Sequence, residues 1–230
     1  MLADRLLKEV FAFNLKKVKL PDGINVLDPF NGENAEEVRR IVKLFHRQYY
    51  ADERPRMLML GINPGRLGAG STGICFTDTK RCEADLGIPV EGMRTHEPSS
   101  DFFYRAVRAA GGAEAFYDRV YVQAICPLGF THTGPKGTPL NLNYYDDAAL
   151  QKAITPVVVR WLRDLIATGL RTDVACCIGT GKNLTFLKKL NDKHGFFGRI
   201  IPLEHPRFVM QYRFKRLDEY VEKYVAAADL

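Results

Sequence analysis

The chain has five cysteines, Cys75, Cys82, Cys126, Cys176 and Cys177, and no CxxC pair among them. An odd count without paired spacing argues against a zinc or iron–sulfur site and against a disulfide framework, so a reducing compartment inside a cell is expected. No apolar run approaches the length of a membrane span. The first stretch, MLADRLLKEVFAFNLKKVKL, carries charges throughout and lacks the apolar core of a signal peptide; it reads as an amphipathic surface helix. Repeats and low-complexity linkers are missing too. These absences leave a globular chain of 230 residues, 46% of them hydrophobic, expected to fold as one domain over residues 1–230.

An acidic surplus is also lacking. Lys and Arg outnumber Asp and Glu by 33 to 27, for a net charge of +6. The surplus is modest, but its sign is the one a polyanion-binding protein needs.

Four short runs are rich in apolar and β-branched residues: RMLMLGI to Ile62, RVYVQAI to Ile125, DVACCIG to Gly179 and RIIPLE to Glu204. Helical patterns separate them. One begins near Asn34 and runs to about Tyr50, with Glu36 and Glu37 in its first turn. Ser99–Ser100 reads as the cap of DFFYRAVRAA, closed by Gly111–Gly112. A long pattern from Tyr145 to Thr168 contains Pro156, where a kink is expected. Further helices are expected over 182–193 and 211–226, whereas LPDGINVLDPFNGEN reads as a turn-rich surface crossing. Alternating strands and helices predict an α/β three-layer sandwich, with a central four-stranded parallel sheet covered by helices on both faces.

In such sheets ligands gather beyond the carboxyl ends of the strands. The four strand ends lead into INPG, CPLGFTHTGPKGTPLNLN, GTGKN and HPRFVMQYR, which places Asn63, Pro127, Gly179 and His205 on one edge. Alone, Asn63-Pro64-Gly65 is an ordinary turn and His205-Pro206 an ordinary strand cap. Together they bring one amide and one imidazole to neighbouring strand ends, with no competing carboxylate or cysteine motif.

GTGKN fails as a phosphate loop. Cys176 stands where the first glycine of that motif belongs and Asn183 replaces its Ser or Thr, so a helix start with a tight leading turn is the better reading. Cys176 and Cys177 read as buried strand residues, His46 and His194 as helix-surface residues. Arg207, Arg213, Lys215 and Arg216 follow the last strand. Arg207 and Arg213 lie closest to its end, where phosphate contact fits better than a solvated face. Phe208, Val209 and Met210 fall in an expected loop, either packed beneath it or wedged into a base stack.

GINPGRLGAGSTGICF resembles, without a gap, the first active-site motif of the single-strand-selective monofunctional uracil-DNA glycosylases, with its Asn-Pro-Gly start and Thr-Gly-to-Phe finish. YVQAICPL resembles their second-strand segment ending in Cys-Pro-Leu. EHPR resembles the His-Pro-Ser segment that carries the catalytic histidine of uracil-DNA glycosylases. The resemblance spans residues 57–213 and implies a monofunctional glycosylase that removes uracil or a related deaminated base from single- or double-stranded DNA.

By that resemblance Asn63 orients the attacking water and His205 donates to the departing base. Phe76 stacks on the flipped base, while Ile62 and Gly65 line its pocket. Pro206, Arg207 and Arg213 face DNA. No metal or nucleotide cofactor is expected, nor a membrane, and the chain is expected to act as a monomer. Two departures mark a divergent branch: Ala124 stands where the family reads the base with Asn, and His-Pro-Arg replaces His-Pro-Ser. The competing readings are a non-catalytic nucleic-acid-binding module on the same fold and an enzyme acting on free nucleosides or nucleotides. Intact Asn63, Phe76 and His205 weigh against the first, and the basic stretch after His205 weighs against the second.

Overall fold

The four apolar runs form one parallel sheet, as their composition predicts. The computed structural model describes residues 1–230. The chain opens with α1 (Leu2–Ala12), β1 (Ile24–Leu27), α2 (Ala35–Tyr49) and β2 (Met57–Gly61). Next come α3 (Ala69–Thr72), α4 (Thr79–Ala84), α5 (Pro98–Ala109) and α6 (Ala113–Tyr117). Three strands follow, β3 (Val120–Ala124), β4 (Gly129–Thr133) and β5 (Pro139–Leu142), then α7 (Ala148–Ile166), β6 (Val174–Ile178), α8 (Lys182–His194) and β7 (Arg199–Leu203). The chain closes with α9 (Pro206–Tyr212), a short 3-10 turn (Phe214–Arg216) and α10 (Leu217–Ala228).

The parallel sheet has the order β3-β2-β6-β7. Every residue of β2, β3 and β6 is buried. Successive strand residues point to opposite faces, so unbroken burial requires cover on both. Two sets of mutually packed helices supply it, α1 with α2 and α7, and α5 with α9 and α10. The strand order reverses between β3 and β6, on either side of β2. The carboxyl end of β2 is therefore the switch point, and Gly61 lies there in register with Ala124.

Several expectations are corrected. The stretch 20–34 is not all turn: β1 pairs with β4, and β4 with β5, in a second, antiparallel sheet. Its outer strands, β1 and β5, are short and have no buried residue, so they carry no apolar alternation that would reveal them. The cap of α5 is Glu97 rather than Ser99–Ser100, because Pro98 takes the first helical position, where a missing N–H costs nothing. Both serines are buried inside the first turn. The segment after His205 is helix α9 and not a loop, and the last helix starts at Leu217 rather than Gln211. Within α9, Val209 is buried while Phe208 is exposed. Helix α7 runs without interruption through Pro156 and begins at the Asp147 cap. The first helix ends at Ala12.

His46 is buried, not superficial. Its Nδ1–H donates to the Val42 carbonyl (2.8 Å), its Nε2 meets the Tyr121 hydroxyl (3.1 Å), and burial pushes its pKa down to about 4. Cys176 and Cys177 are buried in β6 as expected. Asn183 is buried as well: its Nδ2 donates to the Ile178 carbonyl (3.0 Å) and its Oδ1 accepts from the Tyr144 hydroxyl (2.7 Å). These bonds give the GTGKN segment a structural role at the start of α8, and Gly179 supplies its left-handed turn (φ +118°). No helix is long and apolar enough to cross a membrane.

Candidate active site

Beyond the carboxyl end of β2 lies a narrow pocket lined by Ile62, Asn63, Gly65, Phe76, Ala124 and His205, with Glu97 and Arg207 among the polar groups around it. Seven sequence-predicted residues or their replacements, Arg207 included, thus meet in one place. Pro206 and Arg213 do not line it. Pro206 is buried as the first residue of α9, and Arg213 is exposed at that helix's far end, its guanidinium 5.2 Å from the Phe208 ring.

Asn63 is held by chain from the antiparallel sheet. Its Nδ2 donates to the Leu142 carbonyl (3.1 Å) and, more weakly, to the Pro64 carbonyl (3.3 Å). Its Oδ1 accepts from the Tyr144 N–H (2.9 Å). These partners fix which end of the amide is oxygen, and they leave one lone pair of Oδ1 free. The turn is braced a second time, by the Arg66 N–H donating to Asn141 Oδ1 (3.2 Å). The small sheet, invisible in the sequence, is what orients this amide.

His205 caps α9, its Nδ1 accepting from the Arg207 N–H (3.1 Å). A ring nitrogen that accepts leaves the proton of a neutral imidazole on Nε2. Burial, and then the Arg207 charge, push the His205 pKa down to about 3, so the ring is neutral at ordinary pH. Nε2–H is therefore a donor with no internal partner among the hydrogen bonds of His205.

The Phe76 ring lies 5.5 Å from the His205 ring and stacks on Phe103 (5.0 Å between centroids, 19° between planes). Phe76 is also the one non-glycine residue with a left-handed backbone (φ +53°), a costly conformation that clusters at functional sites.

Ala124 faces the pocket and offers only a methyl group. Gln123 does not substitute for the missing amide, since its Oε1 is occupied by the Cys75 thiol (3.2 Å) and the Ala124 N–H (2.8 Å). Cys75 is buried with its pKa pushed up to about 12, which keeps it a thiol. No three of the His, Cys, Asp or Glu side chains converge as metal ligands would. No lysine lines the pocket.

Glu97 is the residue that sequence reasoning missed. Burial raises its pKa, with Arg207 opposing and Asp78 adding to the rise. A side chain on Gly68 would overlap its carboxyl group, and one on Gly65 would come within 3.2 Å of it. The glycines of the first motif therefore make room for an acid contributed by a distant helix. Spacing along the chain holds no sign of that.

Comparison with known proteins follows this geometry. The family model "Uracil DNA glycosylase superfamily" matches residues 47–229. A crystal structure of wild-type Pedobacter heparinus SMUG2 superposes with a TM-score of 0.94 at 44% identity, covering 98% of this chain and 96% of that one. No curated protein gives a significant match. The expected fold is borne out: a four-stranded parallel sheet with helices around it, shared with that structure across nearly the whole chain. The chain belongs to the uracil DNA glycosylase superfamily and, as a member, is a DNA glycosylase.

Proposed function

We propose that the enzyme hydrolyses the N-glycosidic bond of uracil or a related deaminated base in DNA, using Asn63 and His205. The observation that carries this reading is that one pocket is lined by both a clamped amide with a free oxygen lone pair and a neutral imidazole with a free Nε2–H. Breaking the bond builds oxocarbenium character on the sugar and negative charge on the departing base. Asn63 cannot take a proton at neutral pH, so it serves by orienting a water through Oδ1. His205 donates from Nε2 to a base carbonyl as charge grows there, a preorganised contribution of about 3 kcal/mol. Phe76 supplies the stacking surface, and Ile62 and Gly65 complete the wall. With no lysine in the pocket there is no amine for a Schiff base, which favours a monofunctional hydrolase. The direct test is release of uracil from a labelled oligonucleotide, read as an alkali-cleavable abasic site. An intact strand after prolonged incubation with excess enzyme would refute the reading.

Arg207 and Arg213 form the DNA-facing side of this proposal, and Pro206, buried at the start of α9, drops out of it. Arg207 and Arg213 are exposed, whereas Arg216 is already paired with Glu219 (2.6 Å). Arg207→Ala and Arg213→Ala are each expected to weaken binding regardless of sequence. Each should also lower the slope of log K against log salt by about one, measured by fluorescence anisotropy across a salt series. An unchanged slope in both returns them to the solvated surface.

Ala124 bears on base choice. Ala124→Asn is expected to raise uracil excision relative to hypoxanthine or xanthine excision, because an amide there supplies a donor and an acceptor to the base edge. Competition between two labelled oligonucleotides reads that ratio directly, and a fixed ratio in a folded variant would detach position 124 from recognition.

A further inference from the structure

With the amide missing at position 124, the pocket still holds one polar group that neither water positioning nor leaving-group stabilisation uses. Glu97 enters from the start of α5 and lines the pocket with His205 and Arg207. Its backbone is pinned: the Glu97 N–H donates to Asp78 Oδ2 (2.7 Å), and Asp78 is itself buried as the cap of α4. Its carboxyl takes no hydrogen bond from any protein group, and only the Arg207 charge favours its ionised form. A half-buried carboxyl held at a pocket without a protein partner is available to pair with something outside the fold. The glycines at 65 and 68 clear the space it occupies, and Ser99, which is buried, also lines the pocket.

We propose that Glu97 is a specificity-determining residue of this site, its carboxyl accepting a hydrogen bond from a ring N–H on the edge of the flipped base. The assignment rests on the base-excision reading above. It explains what deamination changes. Uracil and hypoxanthine carry a ring N–H beside a carbonyl where cytosine and adenine carry a bare ring nitrogen and an amino group. The ionised carboxylate is acceptor-only, so it receives that N–H and meets a repelling lone pair at the bare ring nitrogen of cytosine or adenine. The pocket is narrow, so a base that enters must touch the groups lining it. The purine lactam presents the same N–H and carbonyl pair as uracil. Glu97 therefore fits a site that accepts deaminated bases as a class.

The test uses the full chain and three oligonucleotides. One carries a fluorinated, hydrolysis-resistant deoxyuridine, the second a tetrahydrofuran abasic analogue and the third only undamaged bases. Glu97→Met keeps the side-chain volume and removes the acceptor. It is expected to weaken binding of the uracil analogue roughly tenfold or more while leaving the abasic analogue within about twofold. It is also expected to raise the melting temperature, since an unpartnered acid has been replaced by an apolar group. Glu97→Gln retains one acceptor oxygen and should keep most of the uracil affinity. Equal weakening of the uracil and abasic oligonucleotides, or a lower melting temperature with base affinity unchanged, would mark Glu97 as structural and overturn the proposal. Tighter uracil binding in Glu97→Met would show that the acid blocks the base rather than reads it, and would overturn it too. If the wild-type protein fails to distinguish uracil from undamaged DNA, the base-excision reading itself falls. If it does distinguish them and Glu97→Met still does equally well, only this inference falls.

Discussion

Asn63→Ala is expected to slow single-turnover release of uracil by about 10²- to 10³-fold or more while leaving DNA affinity within a few fold. The size follows from how the amide is held. Two donor contacts to the Leu142 and Pro64 carbonyls and one acceptance from the Tyr144 N–H fix it before any substrate arrives. Water positioned by a preset group reacts without first giving up its freedom of orientation, and that advantage disappears with the side chain. Rapid-quench measurement with enzyme in excess isolates the chemical step from product release. Asn63→Asp separates orientation from basicity. A carboxylate would supply a proton acceptor but face two carbonyl oxygens without hydrogens to offer them. If orientation is the role, Asp at this position performs little better than Ala. A variant at position 63 that excises at the wild-type rate would remove Asn63 from the mechanism.

His205→Ala is expected to cost a comparable 10²- to 10³-fold in the same experiment, with a distinct signature in pH. The wild-type imidazole has its pKa pushed down to about 3 by burial and the Arg207 charge, so it stays neutral from about pH 5 upward. The excision rate should then show no inflection near 6.5, the ordinary histidine value. Protonation becomes appreciable only as pH falls towards 3, where Nδ1 would lose the lone pair that receives the Arg207 N–H. An inflection between pH 6 and 7 that vanishes in His205→Ala would show a cationic donor instead. The variant also loses a helix cap, so a drop in stability of about 1 kcal/mol is expected beside the kinetic loss.

The parallel sheet was legible because β2, β3 and β6 are buried on both faces and so must be largely apolar. The antiparallel sheet was hidden for the opposite reason. Ile24–Leu27 and Pro139–Leu142 are short, mostly exposed and set among Gly, Pro and Asn, so their pairing depends on partners far along the chain. Helix α9 left a usable sign: His205 followed by Pro206 is a cap followed by a favoured first helical residue. The same logic at Glu97-Pro98 would have moved the start of α5. Asn63 and Phe76 were within reach because their motif keeps its spacing, and His205 because its His-Pro pair follows the last strand of the parallel sheet. Glu97 was out of reach, since its nearness to Gly65 and Gly68 exists only in three dimensions.

The clamp on Asn63 has an evolutionary consequence. Its partners at positions 142 and 144 are a backbone carbonyl and a backbone N–H, groups that nearly every amino acid provides. The two clamping bonds therefore make no demand on side-chain identity and act instead on chain length, although Asn141 and the buried Tyr144 are held by bonds of their own side chains. A residue gained or lost in the 134–138 turn would slide β5 along β4 and carry the two backbone groups away from the amide. Lineages of this enzyme should then vary in the letters of the 134–140 stretch while conserving its count, and an alignment would find there a gap-free segment of low identity.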